Sequence, residues 1–191
     1  MIDIATRFRS SNVQWTENPV SNFYDVSVGT YNQVLGGVQI VLSKAREHFE
    51  GEGTDLAEIV QTQLHDDMLP FWFQITSVAH HSKSGLDALA TGQFSPPTRP
   101  ENPTWDSLVA LIDEAKGVVD AADAEAINAR EDGEVVFSRG DFSMAFKASD
   151  FILTFSLPNL YFHATTTYDI LRMKGVPLGK MDFLGRMRTK G

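Results

Sequence analysis

Residues 151–168, FILTFSLPNLYFHATTTY, carry no formal charge. Eighteen uncharged residues are long enough to span a bilayer. Pro158, Asn159, His163 and the Ser and Thr residues between them are costly in hydrocarbon, so the stretch reads as a buried helix of a helical bundle. Ser149 or Asp150 is placed to open this last helix, and Gly175 to end it after Lys174. Pro158 lies inside it, removing one N–H donor and crowding the carbonyl of Thr154, which predicts a kink or a local break. Asn159, His163, Thr166 and Ile170 follow at steps of four, three and four and share one face. Phe155, Leu157, Leu160, Phe162 and Leu171 make the rest of the cylinder apolar nearly all round. A polar stripe on such a helix must face the protein interior or a pocket, where each polar group needs a partner.

Working outward, Val28, Tyr31, Leu35, Val38, Leu42, Ala45 and Phe49 recur at alternating steps of three and four, the seam of a first long helix. Gly51 and Gly53 stop it. Residues 54–64 read as a short amphipathic helix. The second long helix is expected to start at Asp66–Asp67, with Pro70 in its first turn. Its seam runs through Met68, Trp72, Ile75, Ala79, Ser82, Leu86 and Leu89. Four prolines between residues 92 and 103 make an irregular loop, after which Thr104 or Asp106 caps a third helix facing inward through Leu108, Leu111, Ile112, Ala115 and Val119. A period of two then replaces the helical one: Val135 and Phe137, a turn at Arg139-Gly140, then Phe142, Met144 and Phe146. The fold class is therefore all-α, a four-helix bundle with a small β-hairpin between helices three and four.

The chain has 191 residues, no cysteine and a formal net charge of −9. This length suits one domain. Without cysteine there is no disulfide, no cysteine nucleophile and no thiolate metal site. The charge is uneven. Residues 47–67 hold seven acids and no Lys or Arg, residues 101–134 hold ten acids against Lys116 and Arg130, and residues 170–191 hold six bases against Asp182. Acidic runs interleaved with apolar residues are solvated helix faces, and an acidic chain is a poor partner for phosphate backbones, so no nucleic acid is expected. The N-terminus has no apolar h-region or cleavage site, so the expected location is the cytoplasm and no membrane is involved. Residues 1–23 form an N-terminal arm, mobile or docked on a partner through Trp15 and Phe23, residues 24–185 the bundle, and residues 186–191 a basic tail.

His163 is the polar group on the last helix that most needs explaining. It either hydrogen-bonds a neighbouring helix or serves a ligand. Of the adjacent pair on helix two, His80 shares its face with Thr76, Lys83 and Asp87 and is expected to be exposed. His81 aligns with Gln74 and Val78 and can reach His163 across the bundle. Asp66 and Asp67 are either a helix cap or carboxylate partners for His163. No HExxH motif, Gly-rich phosphate loop or GxSxG elbow is present.

Three segments carry a resemblance: YDVSVGTYNQVLGGVQIVLSKAREH (24–48), LHDDMLPFWFQITSVAHHSK (64–83) and above all PNLYFHATTTYDILRMKGVPLGKMDFLG (158–185). They resemble an uncharacterised family of the DinB-like superfamily of four-helix bundles. The resemblance implies a DinB-like fold over residues 24–185, a homodimer, and a divalent metal (Zn, Ni or Mn) held by three histidines, one from helix two and a pair four residues apart on the last helix. This chain has Asn159 where the paired histidine would be, and an amide is a poorer ligand than imidazole. His81 and His163 are the two positions that match.

The function expected is a small-molecule pocket between helix two and the last helix, with acid/base chemistry centred on His163. Asn159 and Asp67 would assist, and Trp72, Gln74, Tyr161 and Thr166 would contact the ligand. The alternatives are a metal-dependent enzyme using His81 and His163, and a non-catalytic dimer that binds a ligand or partner.

Overall fold

Asn22 opens helix α1 (Phe23–Glu52) with a reciprocal cap: its side chain accepts from the Asp25 N–H, and the Asp25 carboxylate accepts from the Asn22 N–H. Two donors that a helix start leaves unpaired are thereby satisfied. This computed structural model describes residues 22–189, so the arm expected over residues 1–23 lies, but for its last two residues, outside the described region. Every residue of the first seam, from Val28 to Phe49, is buried. Gly53, in the left-handed region at φ 69°, ends the helix.

The protein is mostly helical with a small three-stranded sheet. After α1 come α2 (Leu56–Val60), α3 (Phe71–Ala79), a π-helical turn (His80–Ser84), α4 (Gly85–Thr91), α5 (Trp105–Asp120) and α6 (Ala124–Asn128). A second π-helical stretch (Phe151–Ser156) links the single turn α7 (Ala148–Asp150) to α8 (Leu157–Met173), and α9 (Lys180–Leu184) is the last helix of the described residues. Helix α1 packs on α5 and α8, and α3 packs on the same two helices. Strand β2 (Glu134–Arg139) pairs antiparallel with β3 (Phe142–Lys147), Val135 opposite Phe146 and Phe137 opposite Met144. Strand β1 (Gln93–Phe94) lies parallel to β2 on its other edge.

Several boundaries differ from expectation, each for a local reason. Helix α3 begins at Phe71, not at Asp66–Asp67, and no side chain caps it. Residues 65–68 instead close a turn (Met68 N–H to His65 C=O, 2.9 Å), and the Phe71 N–H reaches back to Thr62 C=O at 2.8 Å. Leu69 precedes Pro70 and is steered away from helical backbone. The short amphipathic helix is confined to Leu56–Val60 and capped by Asp55. Strand β1 occupies the start of the proline-rich loop because Gln93 and Phe94 come before the first proline and Phe94 is buried. The last helical stretch begins at Ala148 without a side-chain cap.

The break expected at Pro158 takes the form of the π-helical stretch immediately upstream. Proline has no N–H for the carbonyl four residues back, and the wider turn resets the hydrogen-bond register before α8 begins. The last helix is not buried all round: Leu153, Tyr161 and Phe162 are exposed. It packs chiefly against α1 and α3, and Tyr168 also meets Phe183 of α9. Near the other end of the chain, Gly37 lets α9 approach α1 closely, since a Cβ there would lie 2.2 Å from the Phe183 carbonyl oxygen.

Candidate functional site

A buried chain of hydrogen bonds through Tyr31 and Ser156 ties the second π-helical segment to the first. Ser156 Oγ donates to the His81 carbonyl at 2.7 Å. Its only proton is thereby used, so the Tyr31 hydroxyl, 2.7 Å away, donates to Ser156 Oγ. Tyr31 is fully buried, which pushes its pKa up, only partly offset by the bond to Ser156, and keeps it a donor. Gly85 makes room for this contact: a Cβ would stand 2.9 Å from the Tyr31 hydroxyl and 3.1 Å from Ser156 Oγ.

This clasp sets His81 on α3's continuation beside His163 of α8. The ring centroids lie 6.0 Å apart with planes 15° from parallel. Both side chains are buried, at 6% and 9% exposure, among aromatic rings: Phe94 and Phe155 against His81, Phe73 and Phe162 against His163. His163 Nδ1 lies 2.8 Å from Gln74 Oε1. Gln74 Nε2 donates to the Leu69 carbonyl at 2.7 Å, which fixes the amide with its oxygen toward the imidazole. A carbonyl oxygen only accepts, so His163 carries its proton on Nδ1 and presents Nε2 as an unprotonated acceptor. Burial lowers the His163 pKa to about 4. Burial, with the charges of His80 and His163 adding to it, lowers that of His81 to about 3. Both rings are neutral at neutral pH. His81 Nδ1 is buried and has no hydrogen-bond partner among the described residues, a cost that a folded chain ordinarily avoids.

Of the residues singled out from the sequence, the structure brings together Gln74, His81 and His163. Asn159 is one turn away and half-buried, its Nδ2 donating to the Phe155 carbonyl at 2.7 Å. Thr166 Oγ1 turns back to its own helix at the Phe162 carbonyl. Tyr161 is exposed. Trp72 packs beneath Arg99 on the neighbouring loop. Asp67 is exposed in the turn before α3 and pairs with His65 Nδ1 at 2.6 Å. His80, expected in solvent, is half-buried: its Nε2 lies 2.7 Å from the Ser95 carbonyl and its ring 4.6 Å from that of Phe94. Sequence reasoning missed Tyr31, which periodicity placed in the apolar seam of the first helix, and Ser156, to which it gave no role. It also missed the aromatic wall of Phe73, Phe94 and Phe155.

The donor set does not fit a resident divalent ion held by three side chains. Among the described residues, no group of three or more His, Asp or Glu is close enough to hold a metal. Two imidazoles converge, one with Nδ1 engaged by Gln74, while Asn159 is tied to its own helix and Asp67 lies in the turn. Zinc, nickel and manganese sites need more donors than these two rings supply.

A family model described as Domain of unknown function (DUF1993) matches residues 23–184. Among solved structures, the crystal structure of a DinB family member protein from Shewanella denitrificans is similar to this chain at 23% sequence identity and a TM-score of 0.74, over 88% of this chain and 94% of that one. That likeness is one of fold. No curated protein matches.

Proposed function

The chain belongs to the DUF1993 family, and from that premise we propose that it is a DinB-like four-helix bundle that binds a small polar molecule between α3 and α8. Neutral His163 accepts a ligand's hydroxyl or amide proton at Nε2. The observation that carries this reading is the relay from the Leu69 carbonyl through Gln74 to His163, which commits Nδ1 as donor and leaves Nε2 as the acceptor. Relays of this kind orient a working imidazole by hydrogen-bonding its other nitrogen. Gln74 is a positioning residue here, and His81 lines the site with an unpartnered Nδ1 that a ligand can satisfy.

A pKa near 4 makes His163 a weak base in the absence of ligand, suited to accepting a hydrogen bond. In the catalytic form of the proposal, the substrate excludes water and places its own developing positive or acidic group at Nε2, and proton transfer follows. The homodimer expected from the resemblance belongs to the same proposal, and sedimentation of the intact chain at twice its monomer mass is its expected signature.

A thermal-shift screen of small alcohols and amides against the intact protein tests the binding reading. Compounds that stabilise the protein are expected to lose that effect in His163→Gln, which keeps a polar side chain but removes the ring. Stabilising compounds that act equally on His163→Gln contradict it.

A further inference from the structure

A groove outside the site between α3 and α8 lies on the outer side of α3. The loop from Ser95 to Thr104 crosses this face as a strap, pinned at one end by the contact of His80 with the Ser95 carbonyl and stiffened by Pro96, Pro97, Pro100 and Pro103. Cavities open along its margins. One of about 590 Å³ is lined by Trp72, Gln61 and the strap from Arg99 to Thr104. A neighbour of about 230 Å³ is more apolar, with Leu69, Trp72, Phe73 and Pro97 in its wall. The larger volume falls in the range of small-molecule sites, about 300–1,000 Å³. Both cavities share Trp72 and Arg99.

The Arg99 guanidinium sits over the Trp72 ring, 5.3 Å from its centroid. A guanidinium stacked on an indole keeps its N–H edge free for a planar anion. Lys44, Arg46, Lys83, Lys116 and Lys147 each face a carboxylate of the chain. Arg99 is one of eight Lys or Arg side chains that are in no ion pair among the described residues, and it is the one that lies over an indole at the mouth of a cavity. Glu101 lines the larger cavity two residues further on.

We propose that this groove binds a small organic monocarboxylate. The carboxylate takes the free edge of Arg99, and the apolar body lies in the smaller cavity against Leu69, Trp72 and Phe73. Glu101 sets the charge limit: a phosphate monoester, with close to two negative charges, meets its carboxylate in the same cavity. None of these contacts involves His163, so this site stands or falls apart from the one between α3 and α8.

Calorimetric titration of the intact protein with phenylacetate, phenylacetamide and benzyl phosphate tests it. The expected result is saturable phenylacetate binding with a Kd on the order of 1 mM or tighter. The neutral amide and the phosphate are expected to bind at least about tenfold more weakly. Arg99→Met, which keeps the stem over Trp72, is expected to weaken phenylacetate about tenfold or more with an unchanged unfolding midpoint, while His163→Gln leaves binding intact. Equal binding of phenylacetamide, unchanged binding by Arg99→Met, or no saturation by phenylacetate at about ten times the expected Kd overturns the proposal. Loss of binding in His163→Gln alone would assign the carboxylate to the other site and likewise overturn it.

Discussion

Two contacts in this molecule join an imidazole Nδ1 to a side-chain oxygen at nearly the same distance. His65 meets Asp67 at 2.6 Å in the turn before α3, and His163 meets Gln74 at 2.8 Å between α3 and α8. The first pair is 73% and 83% exposed at its side chains. In the second, the residues are 9% and 2% exposed. Water competes for both partners of the exposed pair and screens whatever charge they carry, so that contact holds little free energy. In the interior no water replaces a lost partner, so the bond between His163 and Gln74 decides which nitrogen bears the proton, while burial holds the ring neutral. Equal geometry therefore gives unequal consequences, and the neutral glutamine outweighs the carboxylate.

Acid breaks this comparison most strongly. The folded protein holds His163 at about 4 and His81 at about 3, against an ordinary 6.5. Below 6.5 the unfolded chain takes up protons that the folded chain refuses, so stability present above that value is lost as pH falls toward the folded values. Each ring contributes up to about 1.4 kcal/mol per pH unit within the window. Urea unfolding from about pH 7 down to about pH 4.5 is expected to show falling stability, with a shallower slope in His163→Gln. A flat profile would mean that the rings are not held neutral.

Next in size is Gln74→Leu. It leaves the His163 Nδ1–H and the Leu69 carbonyl without partners, and the expected loss is about 2 kcal/mol or more. Gln74→Glu sharpens the point differently. A carboxylate at the same position favours the imidazolium, so the His163 titration is expected to move upward, a change that a merely packing role for residue 74 would not produce. NMR titration of the ring protons reads it. At the small end, Asp67→Asn is expected to change stability by no more than about 0.5 kcal/mol. A loss comparable to that of Gln74→Leu would erase the distinction between the two pairs.

What the residues reveal in advance follows the reach of periodicity. The buried faces of α1, α3 and α5 were legible because steps of three and four report which side of a helix turns inward. By the same reasoning His81 was expected at a boundary position from which it can reach His163 across the bundle. The partner of His163 was not legible, because Gln74 lies 89 residues away and no local pattern distinguishes it from other polar residues. Asp66 and Asp67 misled because acids before an apolar run resemble a cap, whereas Pro70 and its neighbour Leu69 delay the helix to Phe71. Neither π-helical segment has a compositional mark, apart from the break predicted at Pro158. The clasp of Tyr31, Ser156 and Gly85 that joins them rests on tertiary contacts alone.

Between α3 and α8, His163 is a neutral ring protonated on Nδ1 with Nε2 as its unprotonated nitrogen. Nitrogen-15 NMR of histidine-labelled protein at neutral pH measures this directly, with the signal assigned through His163→Gln. The expected result is an Nδ1 shift typical of a protonated ring nitrogen and an Nε2 shift typical of an unprotonated one. The opposite tautomer, or two equivalent protonated nitrogens, would contradict it.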